Sequence, residues 1–260
     1  MKYIIGLFIA FTGFYLASEH LNQKVDEYWD FVAFFVVFFG TAAVMLMSRP
    51  AAPLKILFLR FSQKFFFSSP SLKKSANTCW EVSLKREAIK EPKNIDEQIL
   101  NDGLELISLG FSKEKITEIL TQRYYQFENQ LMLLSSWLKR NAKYPPAFGL
   151  AGTVLGLIHL MRGISAGIDS KETGLRMAVA LVATFYGLII SNLVLNPLGE
   201  WLIEESKKDQ QKSEMAIETI GLIMDGVNIV EIQERINSYL DPSDRLSALS
   251  FNTEAEATRF

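Results

Sequence analysis

The first candidates for chemistry in this chain are hydroxyl side chains set in long runs that carry no charge. Thr153 lies in YPPAFGLAGTVLGLIHLM (144–161) and Thr184 in MAVALVATFYGLIISNLVLNPLG (177–199), and neither run contains Asp, Glu, Lys or Arg. A hydroxyl both donates and accepts, so it can serve as one link of a water chain or bind a dehydrated cation, but it releases no proton at physiological pH. The carboxylate that such a path needs is absent from these runs and from two others like them, 3–18 and 31–48. The sole side chain in the four runs with a useful pKa is His159, three residues before Arg162. It reads first as an interfacial polar residue and second as a proton relay. HExxH, GxSxG and phosphate-loop motifs do not occur, and His20 is the only other histidine. No catalytic residue, metal site or cofactor is expected, and for want of a nucleophile–base pair a membrane enzyme is the least supported class.

The elements that hold these hydroxyls follow from where the charges sit. Lys and Arg number 27 against 29 Asp and Glu, a formal charge of −2, which excludes a basic nucleic-acid binder and a polyacidic tail. Each charge-free run, as a helix rising 1.5 Å per residue, approaches the roughly 30 Å of a bilayer's hydrocarbon core. The first run has a rival reading as a signal peptide, with Lys2 ahead of it and small residues near Ala17 and Ser18. A second apolar run follows so soon that a helical hairpin is favoured. Segment 49–74 carries Arg49, Lys55, Arg60, Lys64, Lys73 and Lys74 without an acid, whereas 19–30 holds only Lys24. The positive-inside rule then puts 49–143 and the tail after 199 in the cytoplasm, with both termini inside.

The expected fold is all-α: a polytopic membrane protein with four transmembrane helices and a helical cytoplasmic loop and tail. Its parts are a transmembrane hairpin over 1–48, a cytoplasmic loop over 49–143, a channel-forming hairpin over 144–199 and a cytoplasmic tail over 200–240. Ser, Asp, Thr and Glu dominate 241–260, which is expected to be a disordered terminus. Within the loop, apolar residues at 95, 99, 104, 106 and 107 predict a helix over 95–109, closed by Gly110. A second helix is predicted over 113–142, opened by Ser112 and ending before Pro145-Pro146. In the tail, 198–223 continues the fourth span, and after Gly226 and Asn228 a short helix covers 229–240. Segment 53–67 reads equally as a membrane-surface helix or as an extension of the second span. The single cysteine, Cys79, reads as a small structural residue with no disulfide partner.

Small residues recur along the third run at Gly149, Gly152, Thr153 and Gly156, a stripe that lets another helix backbone come close. In the fourth run Thr184, Gly187 and Ser191 share a face, with Asn192 beside them, and such a face should meet protein or water. Pro146 and Pro197 mark the cytoplasmic ends of these runs, as punctuation or as the walls of a vestibule.

PAFGLAGTVLGL with MAVALVATFYGLIISNLVLNPL, and IETIGLIMDGVNIVEIQERINSYL in the tail, resemble the A subunits of ion-driven motors: MotA-type flagellar stators and their TolQ/ExbB relatives. Four spans and a long inner loop match the MotA type. The resemblance implies that Thr184 lines the ion path beside an essential aspartate of a partner, and that Thr153 is the polar position on helix three. Pro146 and Pro197 match the stator prolines at the inner ends of helices three and four. It further implies a homopentamer around two MotB-like single-span B subunits, each with a transmembrane Asp and a peptidoglycan-binding domain. The missing carboxylate would come from that partner. In such stators an Arg and a Glu of the loop engage the flagellar rotor switch complex. Here the matching region is ANTCWEVSLKREAIKEP, where Lys85, Arg86 and Glu87 become the contact candidates.

The resemblance thus implies a flagellar stator A subunit in the bacterial inner membrane, surrounded by lipid, conducting H⁺ or Na⁺ and binding no nucleic acid. The altered loop charges keep an energiser of envelope transport or gliding as an alternative, and a non-conducting membrane scaffold stands as a third reading.

Overall fold

The computed structural model describes residues 2–20, 30–48, 71–167 and 169–246. Among them lie nine α-helices: α1 (Lys2–His20), α2 (Phe31–Met47), α3 (Leu72–Lys85), α4 (Ile95–Ser108), α5 (Lys113–Asn141), α6 (Tyr144–Ser165), α7 (Ser170–Ile189), α8 (Asn196–Asp225) and α9 (Ile229–Ser238). A π-helical segment, π1 (Ile190–Leu195), joins α7 to α8, and no strand occurs among the described residues. Segment 53–67 and most of 19–30 lie outside the described residues, as do 247–260.

Local chemistry sets the helix ends. Asp30 caps α2, accepting from the Ala33 N–H at 2.6 Å, and Asp169 caps α7, accepting from the Glu172 N–H at 2.7 Å. Helix α7 therefore begins well before the charge-free run, taking Glu172 and Arg176 into its first turns, where they pair at 2.6 Å. Asn94 and Glu97 form a capping box on α4, and Gly110 ends it at φ 78°. Gly226, at φ 63°, and the Asn228 cap separate α8 from α9.

The chain divides into two compact units. The first comprises Met1–Ala52 and Leu133–Leu202. Here α6 lies along α7, and α2 packs against both. Ala33 and Val37 of α2 are buried against Val182 and Ala183 of α7. Gly40 leaves room for the Phe148 ring, whose Cε1 would stand 2.6 Å from an added Cβ.

The second unit comprises Pro53–Met132 and Ile203–Phe260. Its core brings together Cys79 of α3, Leu100 of α4, Leu120 of α5, Ile220 of α8 and Ile236 of α9, all nearly inaccessible. Gly103 draws α4 close to α8, since a Cβ there would sit 2.6 Å from Ile220 Cγ1. Of the stretch 241–260, residues 241–246 are described. Asn237 brackets Leu246, accepting its N–H at 2.8 Å and donating to its carbonyl at 3.3 Å, and Asp244 pairs with Lys73 at 3.5 Å. Leu246 also packs against the core of this unit.

Candidate hydroxyl site in the α6–α7 pair

Glycine spacing makes the site possible. A Cβ on Gly149 would fall 2.8 Å from the Ala183 carbonyl oxygen and 2.9 Å from Thr184 Cα. One on Gly152 would fall 2.7 Å from Ala183 Cβ, and one on Gly156 would fall 2.5 Å from Ala180 Cβ. On the facing helix, Gly187 meets the backbone of Pro145 and lies within 3.0 Å of Pro146 Cα by the same measure. The two backbones thus touch along about three turns of α6, where any side chain would hold them apart. The stripe's partner is a helix of the same chain, so the glycines by themselves give no ground for association between copies.

That contact brings the two threonines together. Thr153 Oγ1 and Thr184 Oγ1 are 2.5 Å apart, and both side chains are half-buried. Thr153 Oγ1 also lies 2.9 Å from the Ala180 carbonyl and 3.2 Å from that of Gly149. Thr184 Oγ1 lies 3.3 Å from the same Gly149 carbonyl, one helix away. Four oxygens therefore share the two hydroxyl protons. Such a cluster keeps lone pairs in reserve, so it can pass a hydrogen bond along a water chain or offer oxygens to a cation.

The inner end is built from prolines and the π1 segment. Pro145 and Pro146 occupy the first turn of α6, where a missing N–H costs nothing. Pro197 sits in the first turn of α8, immediately after π1, whose last bond runs from the Asn196 N–H back five residues to the Ser191 carbonyl. Proline cannot donate in the usual register, and the wider turn absorbs the displaced bonding. Ser191, buried, donates to the Ala142 carbonyl at 2.5 Å and ties π1 to the turn between α5 and α6. Asn192 is exposed, as is His159.

The sequence reading missed a clasp at the end of α2. Trp137 Nε1 donates to the Ser48 carbonyl at 2.7 Å, Ser48 Oγ donates to Asn141 Oδ1 at 2.9 Å, and Asn141 Nδ2 donates to the Trp137 carbonyl at 2.7 Å. Trp and Asn next to a predicted span end were the available signal.

In the second unit Lys85, Arg86 and Glu87 are exposed where α3 ends, and none forms an ion pair among the described residues. Cys79 is fully buried, and desolvation, with a smaller contribution from Asp96, pushes its thiol up to about 12. Among the described residues no group of three or more His, Cys, Asp or Glu could hold a metal ion.

Among the described residues two helical runs, Lys113–Ser165 and Glu172–Asp225, are long and apolar enough to cross a membrane, and Phe31–Met47 is a shorter apolar helix. The hydroxyl cluster lies between the apolar parts of these two runs. Residues 91–215 match the MotA/TolQ/ExbB proton channel family. Motility protein A of Borreliella burgdorferi is 26% identical over 250 residues, spanning 93% of this chain and 94% of its own. A structure of MotAB from C. jejuni aligns with a TM-score of 0.79 at 17% identity, covering 95% of this chain and 99% of that one. The flagellar MotAB stator complex of Bacillus subtilis gives 0.76 at 20% identity, covering 94% and 98%. At these identities the solved structures speak for the fold.

Proposed function

We propose that this chain is the A subunit of a flagellar stator, converting ion flow across the bacterial inner membrane into torque. The observation that carries the reading is the Thr153–Thr184 cluster: four oxygens in a glycine-packed helix pair whose charge-free runs contain no carboxylate. A B subunit with one span and a transmembrane Asp supplies the missing group, and H⁺ or Na⁺ passes between that Asp and the two hydroxyls. Pro146 and Pro197 shape the cytoplasmic exit. Gly149, Gly152, Gly156 and Gly187 hold the helix pair at the separation that the path requires.

On this reading the chain crosses the membrane four times, through α1, α2, α6 and α7, with both termini in the cytoplasm. It forms a homopentamer around two B subunits. Exposed Lys85, Arg86 and Glu87 face the rotor. The names of its relatives and the near-complete overlap with Motility protein A support the flagellar assignment.

The test is complementation. Expressed with a B subunit in cells that lack their own stator, the chain restores rotation, and exchange of the B subunit's transmembrane Asp for Asn abolishes rotation while the complex still assembles. Rotation that survives the exchange overturns the proposal.

A further inference from the structure

Between α3 and α4 residues 86–94 have no regular structure, yet they are fastened at three places. Arg86 closes α3 in the left-handed region at φ 53°, its N–H donating to the Val82 carbonyl at 2.8 Å. At the far end Glu97 accepts from the N–H groups of Lys93 and Asn94, at 2.7 and 3.3 Å. In the middle Asn101 of α4 brackets Ile89. Its Oδ1 accepts the Ile89 N–H at 2.7 Å, and its Nδ2 donates to the Ile89 carbonyl at 2.8 Å. An amide that meets both polar groups of one residue imitates backbone pairing, fixing orientation as well as position.

Asn101 stands on firm ground. Two residues on, Gly103 lets α4 lie against Ile220, and between them Asp102 pairs with Arg123 at 2.6 Å. Ile89 itself packs on the core of this unit.

What the bracket holds in place is charge. Lys85, Arg86, Glu87, Lys90, Glu91 and Lys93 are all exposed, and none is in an ion pair among the described residues. Four are basic and two acidic. Charges on a fixed backbone can register against a partner's surface, whereas charges on a loose loop lose ordering entropy at every contact.

We propose that Asn101 is a positioning residue: by bracketing Ile89 it holds the charged strap 85–93 in the geometry that meets a partner protein with excess acidic surface charge. The inference rests on the stator reading, in which that partner is the rotor. The same device on Leu246, made by Asn237, provides an internal control.

The experiment compares the full chain, assembled with its B subunit, by amide hydrogen exchange and by torque on tethered cells. Asn101→Leu should speed exchange at the Ile89 N–H by about tenfold, leave the core of α4 protected, and lower torque. Asn237→Leu should loosen Leu246 and leave torque unchanged. A partial neutralisation, Lys85→Gln with Lys90→Gln, should lower torque, and adding Asn101→Leu to it should cost less than it does in wild type. Should Asn101→Leu fail to accumulate, Asn101→Asp, which keeps the acceptor and loses the donor, takes its place. Full torque in the neutralised variant overturns the rotor-facing reading of the strap. Full torque in the Asn101 variant alone, unchanged exchange at Ile89, or a loss that adds undiminished to the neutralised background overturns the role of Asn101.

Discussion

Gly149→Ala should disable the site without touching either threonine. The added Cβ would stand 2.8 Å from the Ala183 carbonyl oxygen and 2.9 Å from Thr184 Cα, where ordinary contact begins at 3.4 Å. Both neighbours are backbone, so no side chain can rotate away and α7 must retreat by about half an ångström. Overpacking of this kind costs about 1–3 kcal/mol, and the better helix propensity of Ala returns about 1 kcal/mol. The net destabilisation is therefore at most about 2 kcal/mol, small enough for the chain to fold. The displacement, however, acts directly on Thr184, and the 2.5 Å approach of the two hydroxyls should open by a similar amount. Gly13→Ala is the control, because its added Cβ meets nothing within 4 Å. Thermal unfolding of the detergent-solubilised complex and ion flux in reconstituted vesicles measure the two effects separately. We expect Gly149→Ala to melt slightly lower than Gly13→Ala and to lose most of its flux. Wild-type flux in a folded Gly149→Ala complex would refute the argument that glycine spacing sets the hydroxyl geometry.

Three further outcomes are expected from the second unit. Cys79 should resist alkylation in the folded chain and react fully once it is unfolded, as read by mass spectrometry; fast labelling under native conditions would contradict its burial. The same thiol ties stability to pH: its ordinary value of 9.0 rises to about 12 on folding, so its contribution is complete below pH 9 and declines as pH rises toward 12, visible as a falling Tm over that window. Reversing Lys85, Arg86 and Glu87 together should cut torque while ring assembly, followed by native mass spectrometry, stays intact; unaltered motility would remove these residues from the interface.

Much of this architecture was legible because charge and periodicity report on single elements. The charge-free run 31–48 became α2, and the apolar spacing from Ile95 to Ile107 became α4 nearly to the residue. Gly110, Gly226 and Asn228 punctuated the chain as turn chemistry requires, two of them at positive φ. The stripe at Gly149, Gly152 and Gly156 announced a close helix contact but could not say with which helix, since a glycine records only the absence of a side chain. Nor could it show that Thr153 and Thr184 meet, because their pairing depends on the crossing of two helices and not on spacing within one.

The π1 segment was hidden for another reason. Its bonds shift by one residue ahead of Pro197, and its composition is that of any apolar helix. The joining of loop and tail in one unit was equally invisible. Composition does not tell that Cys79 and Ile220, far apart in sequence, share a core. The Asn101–Ile89 bracket leaves no periodic trace at all, being a single side chain reaching back twelve residues.

The central claim is that ions pass over the paired hydroxyls of α6 and α7, and Thr184 tests it most directly. Thr184→Val keeps the shape and deletes the hydroxyl, removing one member of the cluster at 2.5 Å from Thr153 Oγ1 and 3.3 Å from the Gly149 carbonyl. Thr184→Ser keeps the hydroxyl and gives up a methyl group. If one hydrogen bond lowers the barrier to passage by about 1.4 kcal/mol, its loss slows flux about tenfold. Ion flux through the reconstituted complex with its B subunit should therefore fall at least that far for Thr184→Val and stay near wild type for Thr184→Ser, with both variants fully assembled. An assembled Thr184→Val complex that conducts at the wild-type rate would show Thr184 to be a packing residue and the path to lie elsewhere.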